Sequence, residues 1–141
     1  MIALLVLVGC QSTPMTLEQH ISRHAKSTNG NEYLLARIYA HGDIDGDGKD
    51  DSAVIYTLEG IRGGNDWLQF LAVKFSSANG RIIWKQAGGK DIRAVENIKI
   101  TNEKIVASTL EYGPSDASCC PSVSKTAIFV IRNGKLIEVG K

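Results

Sequence analysis

Three short polar turns in the second half of the chain, at positions 79–80, 102–103 and 133–134, constrain the fold most strongly. Each turn separates two apolar runs by about two residues, the spacing of a tight β-hairpin. The Asn-Gly pairs at 79–80 and 133–134 favour the positive φ angles of a type I′ turn, and the Asn-Glu pair at 102–103 is compatible with one. Because hairpins join antiparallel neighbours, these turns predict an antiparallel meander.

The elements before and between these turns are one helix and several strands. A helix is predicted over 16–26, where Thr16 is a suitable N-cap and Leu17, Ile21 and Ala25 fall on one face. Strands are predicted at 33–40, 53–58, 67–75, 81–85, 92–100, 104–111, 125–132 and 135–139. The run at 67–75 is apolar on both faces, which is typical of a central strand. The sequence therefore predicts an α+β, β-dominated fold, with one N-terminal helix and a curved antiparallel meander sheet of about seven strands.

The first ten residues form an apolar run that ends in Gly9-Cys10. Such a run before a small residue is typical of a signal peptide, and it is shorter than the about 20 apolar residues that span a bilayer. The ending Leu7-Val8-Gly9-Cys10 resembles the lipobox of bacterial lipoproteins. This resemblance implies cleavage before Cys10 and a diacylglycerol on its thiol, and Gln11 at the next position implies the outer membrane, facing the periplasm. The alternative is a buried N-terminal strand that happens to end in Gly-Cys.

The lipobox interpretation divides the chain into a signal peptide (1–9), a lipidated tether (10–15) and a single β-rich domain (16–141). About 130 residues then remain, a normal size for a domain with its own core. The formal net charge is +1, whereas nucleic-acid binding would need a basic stripe. The expected partners are therefore the membrane, through the lipid, and an unknown envelope protein or cell-wall component, with no nucleic acid.

The segment from 43 to 51 places carboxylates at loop positions one, three, five and nine and glycine at position six. This pattern predicts a calcium site, because calcium takes six to eight oxygen ligands. The predicted ligands are the side chains of Asp43, Asp45, Asp47 and Asp51 and the backbone carbonyl of Lys49. The alternative is an Asp/Gly-rich turn without a metal, in which the Asp side chains accept hydrogen bonds from their own backbone.

The calcium prediction departs from an EF-hand at position twelve, where Val54 stands in place of a bidentate glutamate. A site without that ligand is expected to be weak, on the order of 10⁻⁴–10⁻³ M, and structural rather than sensory. The loop resembles the Asp-x-Asp-x-Asp-Gly-x-x-Asp calcium loops of integrin-type FG-GAP and thrombospondin type 3 repeats. Those loops normally occur in arrays, and this chain has one copy.

The chain has three cysteines, and lipidation of Cys10 would leave only the adjacent Cys119 and Cys120. In an oxidising envelope two thiols tend to pair. Because adjacent α-carbons lie about 3.8 Å apart, closer than in most disulfides, a Cys119–Cys120 bond requires surroundings that enforce it. Because these two cysteines would have no other partner in the chain, a vicinal disulfide is predicted, with an intermolecular bond or free thiols as the alternatives.

The acidic loop and the cysteine pair together resemble a family of small uncharacterised bacterial lipoproteins. Those proteins carry an Asp-x-Asp-Gly-Asp-Gly-x-x-Asp loop and a C-terminal Gly-Pro-x-Asp-x-x-Cys-Cys-Pro motif, found here at 43–51 and 113–121. The resemblance covers roughly residues 33–140. It implies an envelope location and a β-rich architecture, and it implies no particular activity.

These features predict a non-enzymatic envelope lipoprotein, a calcium-stabilised binding or structural module. His20 and His24 have a spacing that can bind zinc, but no third ligand is nearby in the sequence, so a solvated helix face is the preferred interpretation. Two alternatives of other classes stay open. One is an extracytoplasmic hydrolase or redox enzyme that uses the Cys119–Cys120 region, and the other is an inhibitor of a secreted enzyme with an exposed loop at 60–66 or 112–121.

Overall fold

A computed structural model describes residues 13–140, so the predicted signal peptide, Cys10 and the first part of the tether lie outside the described residues. Helix α1 spans Leu17–Ser27, as the sequence predicts within one residue. The Thr16 hydroxyl accepts a hydrogen bond from the Gln19 backbone N–H at 3.1 Å, and the Gln19 side chain accepts one from the Thr16 backbone N–H at 3.0 Å. This reciprocal capping box satisfies N–H groups that the helix itself leaves free.

The strands form two antiparallel sheets. In the described part of the chain they are β1 (Asn31–Glu32), β2 (Ile38–Gly42), β3 (Asp51–Glu59), β4 (Trp67–Lys74), β5 (Ile82–Gly89), β6 (Ala94–Thr101), β7 (Lys104–Glu111), β8 (Val123–Arg132) and β9 (Lys135–Val139). The first sheet has the order β1-β3-β4-β5, with β2 also pairing with β3, and the second has the order β6-β7-β8-β9. Every pairing is antiparallel.

The β-dominated α+β fold with one N-terminal helix is confirmed, but the single meander of about seven strands is wrong. The reason lies in β3 and β4, whose side chains are buried on both faces of the first sheet. A sheet that is apolar on both faces needs a covering layer on each side. Helix α1 covers one face, and the strands after β5 leave the first sheet and cover the other.

The two faces of the first sheet belong to two separate apolar clusters. The larger cluster lies between the sheets, and its bulkiest members are Ile55, Leu71, Phe75, Ile105 and Phe129. The smaller cluster lies under the helix, and its bulkiest members are Leu17, Ile21, Tyr56, Leu58 and Phe70. Fully burying one side chain of this size contributes about 1.5–3 kcal/mol. The clusters therefore hold three layers together, the helix, the first sheet and the second sheet.

Two of the three predicted tight turns are confirmed. Asn102 and Glu103 both have positive φ, at 48° and 58°, and Asn133 and Gly134 have 49° and 71°; each pair directly joins two strands, as a type I′ turn does. The turn at 79–80 is wrong as a two-residue hairpin. The buried Phe75 lies just beyond β4, and its N–H donates to the Arg81 carbonyl at 3.0 Å, so the loop closes only there.

The predicted strand at 33–40 is also only partly correct. The chain forms a short 3-10 turn at Leu34–Ala36 before β2 begins. On one side of this turn the Tyr33 N–H donates to the Thr57 carbonyl at 3.0 Å, and on the other Arg37 pairs with Glu32 at 2.6 Å. These contacts fix the segment between Tyr33 and Arg37 as a turn at the sheet edge instead of a strand. Leu35 in this turn is 86% exposed.

Candidate metal site

Three of the four predicted carboxylates come together in the loop between β2 and β3. One oxygen each from Asp43, Asp45 and Asp51 lies within 4.8 Å of the others. The pairing of Gly42 with Asp51 at the ends of β2 and β3 brings the two ends of the loop next to each other. The predicted ligand Asp47 stands outside this group, and its carboxylate instead accepts the Lys49 backbone N–H at 2.8 Å.

Asp51 is the fixed member of the group. Its side chain is 1% exposed, and its Oδ2 accepts the Ile44 backbone N–H at 3.0 Å. Its Oδ1 accepts the Ser76 backbone N–H at 2.9 Å and the Ser76 hydroxyl at 3.3 Å. A buried carboxylate is stable only when its oxygens are paired, and here the pairing connects the acidic loop to the loop between β4 and β5.

Asp43 holds the turn of the loop. Its Oδ1 accepts the Gly46 N–H at 2.7 Å, and its Oδ2 accepts the Gly48 N–H at 2.8 Å. Gly46 and Gly48 both have φ of +80°, a conformation that glycine adopts without steric cost. Hydrogen bonds from the loop's own backbone are what the metal-free interpretation predicts. They also leave lone pairs for a cation, because an ionised carboxylate has about four acceptor positions.

Asp45 is a member of the group whose pKa is raised. Partial loss of hydration raises its pKa, and the charges of Asp51, Asp47 and Asp43 raise it further, in part offset by a hydrogen bond from the Asp47 backbone. The pKa of Asp47 is lowered, chiefly by a hydrogen bond from Ser77. An all-oxygen donor set of this kind suits a hard divalent cation, and such a cation would remove the repulsion at Asp45.

Glu103 brings a further carboxylate to the loop, and no sequence signal indicates it. A β-carbon added to Gly46 would lie 3.0 Å from its Oε1, so the turn between β6 and β7 approaches the acidic loop closely. Asp45 and Glu103 also line one small cleft together with Ile44 and Lys104. The acidic loop of the first sheet therefore faces the turn between β6 and β7, which brings the negative charge of Glu103 and the positive charge of Lys104.

The Cys119 and Cys120 sulfur atoms are in bonding contact, as a vicinal disulfide requires. Both residues are exposed, on a loop that Asp116 organises. Oδ2 of Asp116 accepts the backbone N–H groups of Gly113 at 2.7 Å and Ser122 at 2.8 Å. These hydrogen bonds lower the pKa of Asp116. A lowered pKa keeps this carboxylate ionised as an acceptor that closes the loop, rather than as a general acid.

The interpretation of His20 and His24 as a solvated helix face is wrong for His24, which is 8% exposed. His24 follows Leu17 and Ile21 at helical spacing on the buried face of α1. Its Nδ1 lies 2.6 Å from the Tyr56 hydroxyl, which supplies the partner that a buried imidazole needs. Its ring lies 4.3 Å from the Trp84 ring, centroid to centroid. Burial lowers the pKa of His24 and, together with the charge of His24, that of His20.

No known protein family, curated protein or solved structure matches the chain. The resemblance to calcium-loop repeats and to small lipoproteins therefore stays a prediction. Within residues 13–140, no helix has both the length and the apolar character needed to cross a membrane.

Proposed function

We propose that the chain is a non-enzymatic envelope lipoprotein whose β-rich domain is stabilised by calcium and serves as a binding or structural module. The observation that carries this proposal is the convergence of Asp43, Asp45 and Asp51 within 4.8 Å. Asp51 at the same time joins the acidic loop to the β4–β5 loop. A cation bound there would hold the acidic loop and the β4–β5 loop together. It would also relieve the repulsion among the three carboxylates.

The role proposed for calcium is structural because the donor set is small. Three carboxylates supply at most part of the six to eight oxygens that calcium takes, so the Lys49 carbonyl and water would complete the shell. A site of this kind corresponds to a dissociation constant on the order of 10⁻⁴–10⁻³ M, as in extracellular modules. An envelope location would supply calcium at that concentration, and a cytoplasmic one would not.

The proposed location rests on the lipobox at Cys10. The described end of the tether lies against the β4–β5 loop, since a β-carbon added to Gly80 would lie 3.1 Å from the Cβ of Pro14. The tether of six residues would reach about 20 Å at most, so the end of the domain that carries this loop would stay close to the membrane.

The lipid anchor is tested by expressing the full chain in a Gram-negative host and labelling the cells with an alkyne fatty acid. We expect Cys10-dependent label, with the protein in the outer-membrane fraction. Cys10→Ser should abolish the label and release the chain from that fraction, whereas Cys119→Ser/Cys120→Ser should keep both. Equal labelling of the chain and of Cys10→Ser would refute the anchor, while leaving the calcium proposal to its own test.

A further inference from the structure

The strands that enclose the apolar cluster between the sheets change from apolar to charged at one end. On β7 the inward positions run from the buried Ile105 and Ala107 to Glu111. On β8 the inward Ala127 and Phe129 are preceded two residues earlier by Lys125. Because alternate residues of a strand share one face, Glu111 and Lys125 occupy inward positions at the same end of the second sheet.

The first sheet shows the same change on β5. Ile83 and Ala87 belong to the cluster between the sheets, so Lys85, which lies between them at the same spacing, also faces the second sheet. Lys85 and Glu111 are half-buried at these positions and Lys125 is exposed, so they form the rim at which the apolar cluster ends. Three strands from two sheets thus place charged side chains where a longer apolar cluster would otherwise continue.

These side chains line a cleft with a volume of about 550 Å³. Its charged and apolar lining includes Lys85, Ile92, Arg93, Glu111, Lys125 and Glu138. Pockets that bind small molecules typically have volumes of about 300–1,000 Å³. On the opposite side the two sheets are in close contact, since a β-carbon added to Gly42 would lie 2.7 Å from Cγ2 of Ile100. The sandwich is thus closed at β2 and β6 and open at this cleft.

Arg93 and Glu138 give the cleft a fixed wall. Arg93 is 8% exposed, and its Nη1 and Nη2 donate to the two carboxylate oxygens of Glu138 at 2.7 and 2.8 Å. Its Nε donates to the Ala87 carbonyl at 2.7 Å. Such a bidentate pair is geometrically rigid, so the Arg93 charge is largely neutralised and its position is set before any ligand arrives.

Lys85 and Lys125 are different, because neither forms an ion pair within residues 13–140. Among residues 13–140, three cations and two carboxylates line the cleft, which leaves one excess positive charge among these side chains. One carboxylate of a ligand would balance that excess, whereas a polyanion would exceed it and would be repelled by Glu111. Glu111 would in turn accept hydrogen bonds from hydroxyl or amide groups of the ligand.

We propose that this cleft binds a small polar ligand through a single carboxylate held between Lys85 and Lys125. The inference deepens the proposed function, since it names the ligand chemistry of a binding module. Ile92, 45% exposed at the rim, adds an apolar contact of the kind that a sugar ring or an alanine side chain fits. The shared chemistry, a carboxylate beside hydrogen-bond donors, occurs in acidic sugars and in the carboxyl ends of short peptides.

The test is a titration of the folded ¹⁵N-labelled domain, in calcium and in chelator, followed by amide chemical shifts. The probes are D-glucuronate against D-glucose, and acetyl-dialanine against its amide, so each pair differs in the carboxylate. We expect saturable shifts at Lys85, Gly88, Ile92 and Lys125 with one carboxylate probe, at millimolar affinity. The glucuronate and peptide arms separate the two ligand sources.

The matched variants distinguish binding in the cleft from nonspecific attraction of the carboxylate probes to lysines elsewhere on the surface. Lys85→Met/Lys125→Met should weaken binding at least about tenfold, equivalent to about 1.4 kcal/mol, whereas Lys85→Arg/Lys125→Arg should retain it. The control Lys99→Met/Lys135→Met removes two exposed lysines outside the cleft and should change nothing. Absence of saturable binding, equal binding of the neutral analogues, or an unchanged affinity in the Lys→Met pair would each overturn the proposal. A melting midpoint insensitive to chelator would instead refute the calcium role alone.

Discussion

Replacement of Asp45 by asparagine tests the contribution of the metal without disturbing the loop that would surround it. Asp45 accepts one backbone hydrogen bond, from the Asp47 N–H at 3.2 Å, and an amide oxygen can accept it equally well. Asp43 and Asp51 each accept two or more hydrogen bonds that shape the loop, so their replacement would damage the fold with or without calcium. Asp45→Asn therefore removes a negative ligand and leaves the turn intact.

The effect of Asp45→Asn on the free energy of unfolding is expected to have opposite signs in chelator and in calcium. Without metal, the variant should be as stable as the wild-type chain or slightly more so, by less than about 1 kcal/mol, because the repulsion it relieves is at an exposed position. With calcium tenfold above its dissociation constant, the wild-type domain should gain about 1.4 kcal/mol of unfolding free energy. For a domain of this size that gain corresponds to about 4–6 °C in the melting midpoint.

The assay is thermal unfolding followed by circular dichroism at constant pH and ionic strength, in chelator and across a millimolar calcium titration. Asp50→Asn is the matched control, because Asp50 is an adjacent exposed aspartate outside the converging group. We expect the wild-type chain and Asp50→Asn to respond to calcium and Asp45→Asn to lose most of the response. A chelator-insensitive wild-type midpoint, or a full calcium shift in Asp45→Asn, would refute the reasoning.

Two further perturbations test other parts of the structure. Asp51→Ala should lower the free energy of unfolding by about 1–3 kcal/mol even in chelator, since it leaves the buried N–H of Ile44 without its acceptor and removes the hydrogen bond to the more exposed Ser76; urea unfolding measures this, and a loss seen only in calcium would contradict it. The lowered pKa values of His20 and His24 mean that the folded state favours their neutral forms, so the stability they contribute is present above about pH 6.5 and is lost as pH falls through their folded pKa values. Melting midpoints between pH 7 and 5 should therefore fall, and less steeply in His24→Phe; parallel profiles for the two chains would show that the loss arises elsewhere.

Local features were predictable from the sequence because they depend on neighbouring residues. The start of α1 follows from Thr16 and Gln19, three residues apart, and the turns at 102–103 and 133–134 follow from residues that tolerate positive φ. Asn79 and Gly80 also adopt positive φ, at 56° and 66°, but their loop is longer than a two-residue hairpin because the burial of Phe75 sets where it closes. The φ angles of this Asn-Gly pair were therefore predictable, and the length of the loop around it was not.

The candidate site was predictable only in part, because several of its contacts join residues that are distant in the sequence. The spacing of the acidic residues predicted four converging carboxylates, of which Asp43, Asp45 and Asp51 converge and Asp47 does not. It could not indicate that Ser76 would hold Asp51 from 25 residues away. Nor could it place Glu103 beside Gly46. The environment of His24 also depended on a distant residue, since Tyr56 lies 32 positions further along the chain.

The sequence by itself determined the class of the fold: one capped helix, strands in antiparallel hairpins and an acidic loop between two of them. These are properties of φ preferences, alternation and spacing over a few residues. Only the tertiary structure decided that the strands divide into two sheets, because β3 and β4 are apolar on both faces and need cover on both. That division also created the open end of the sandwich, where Lys85, Glu111 and Lys125 from two sheets come to line one cleft.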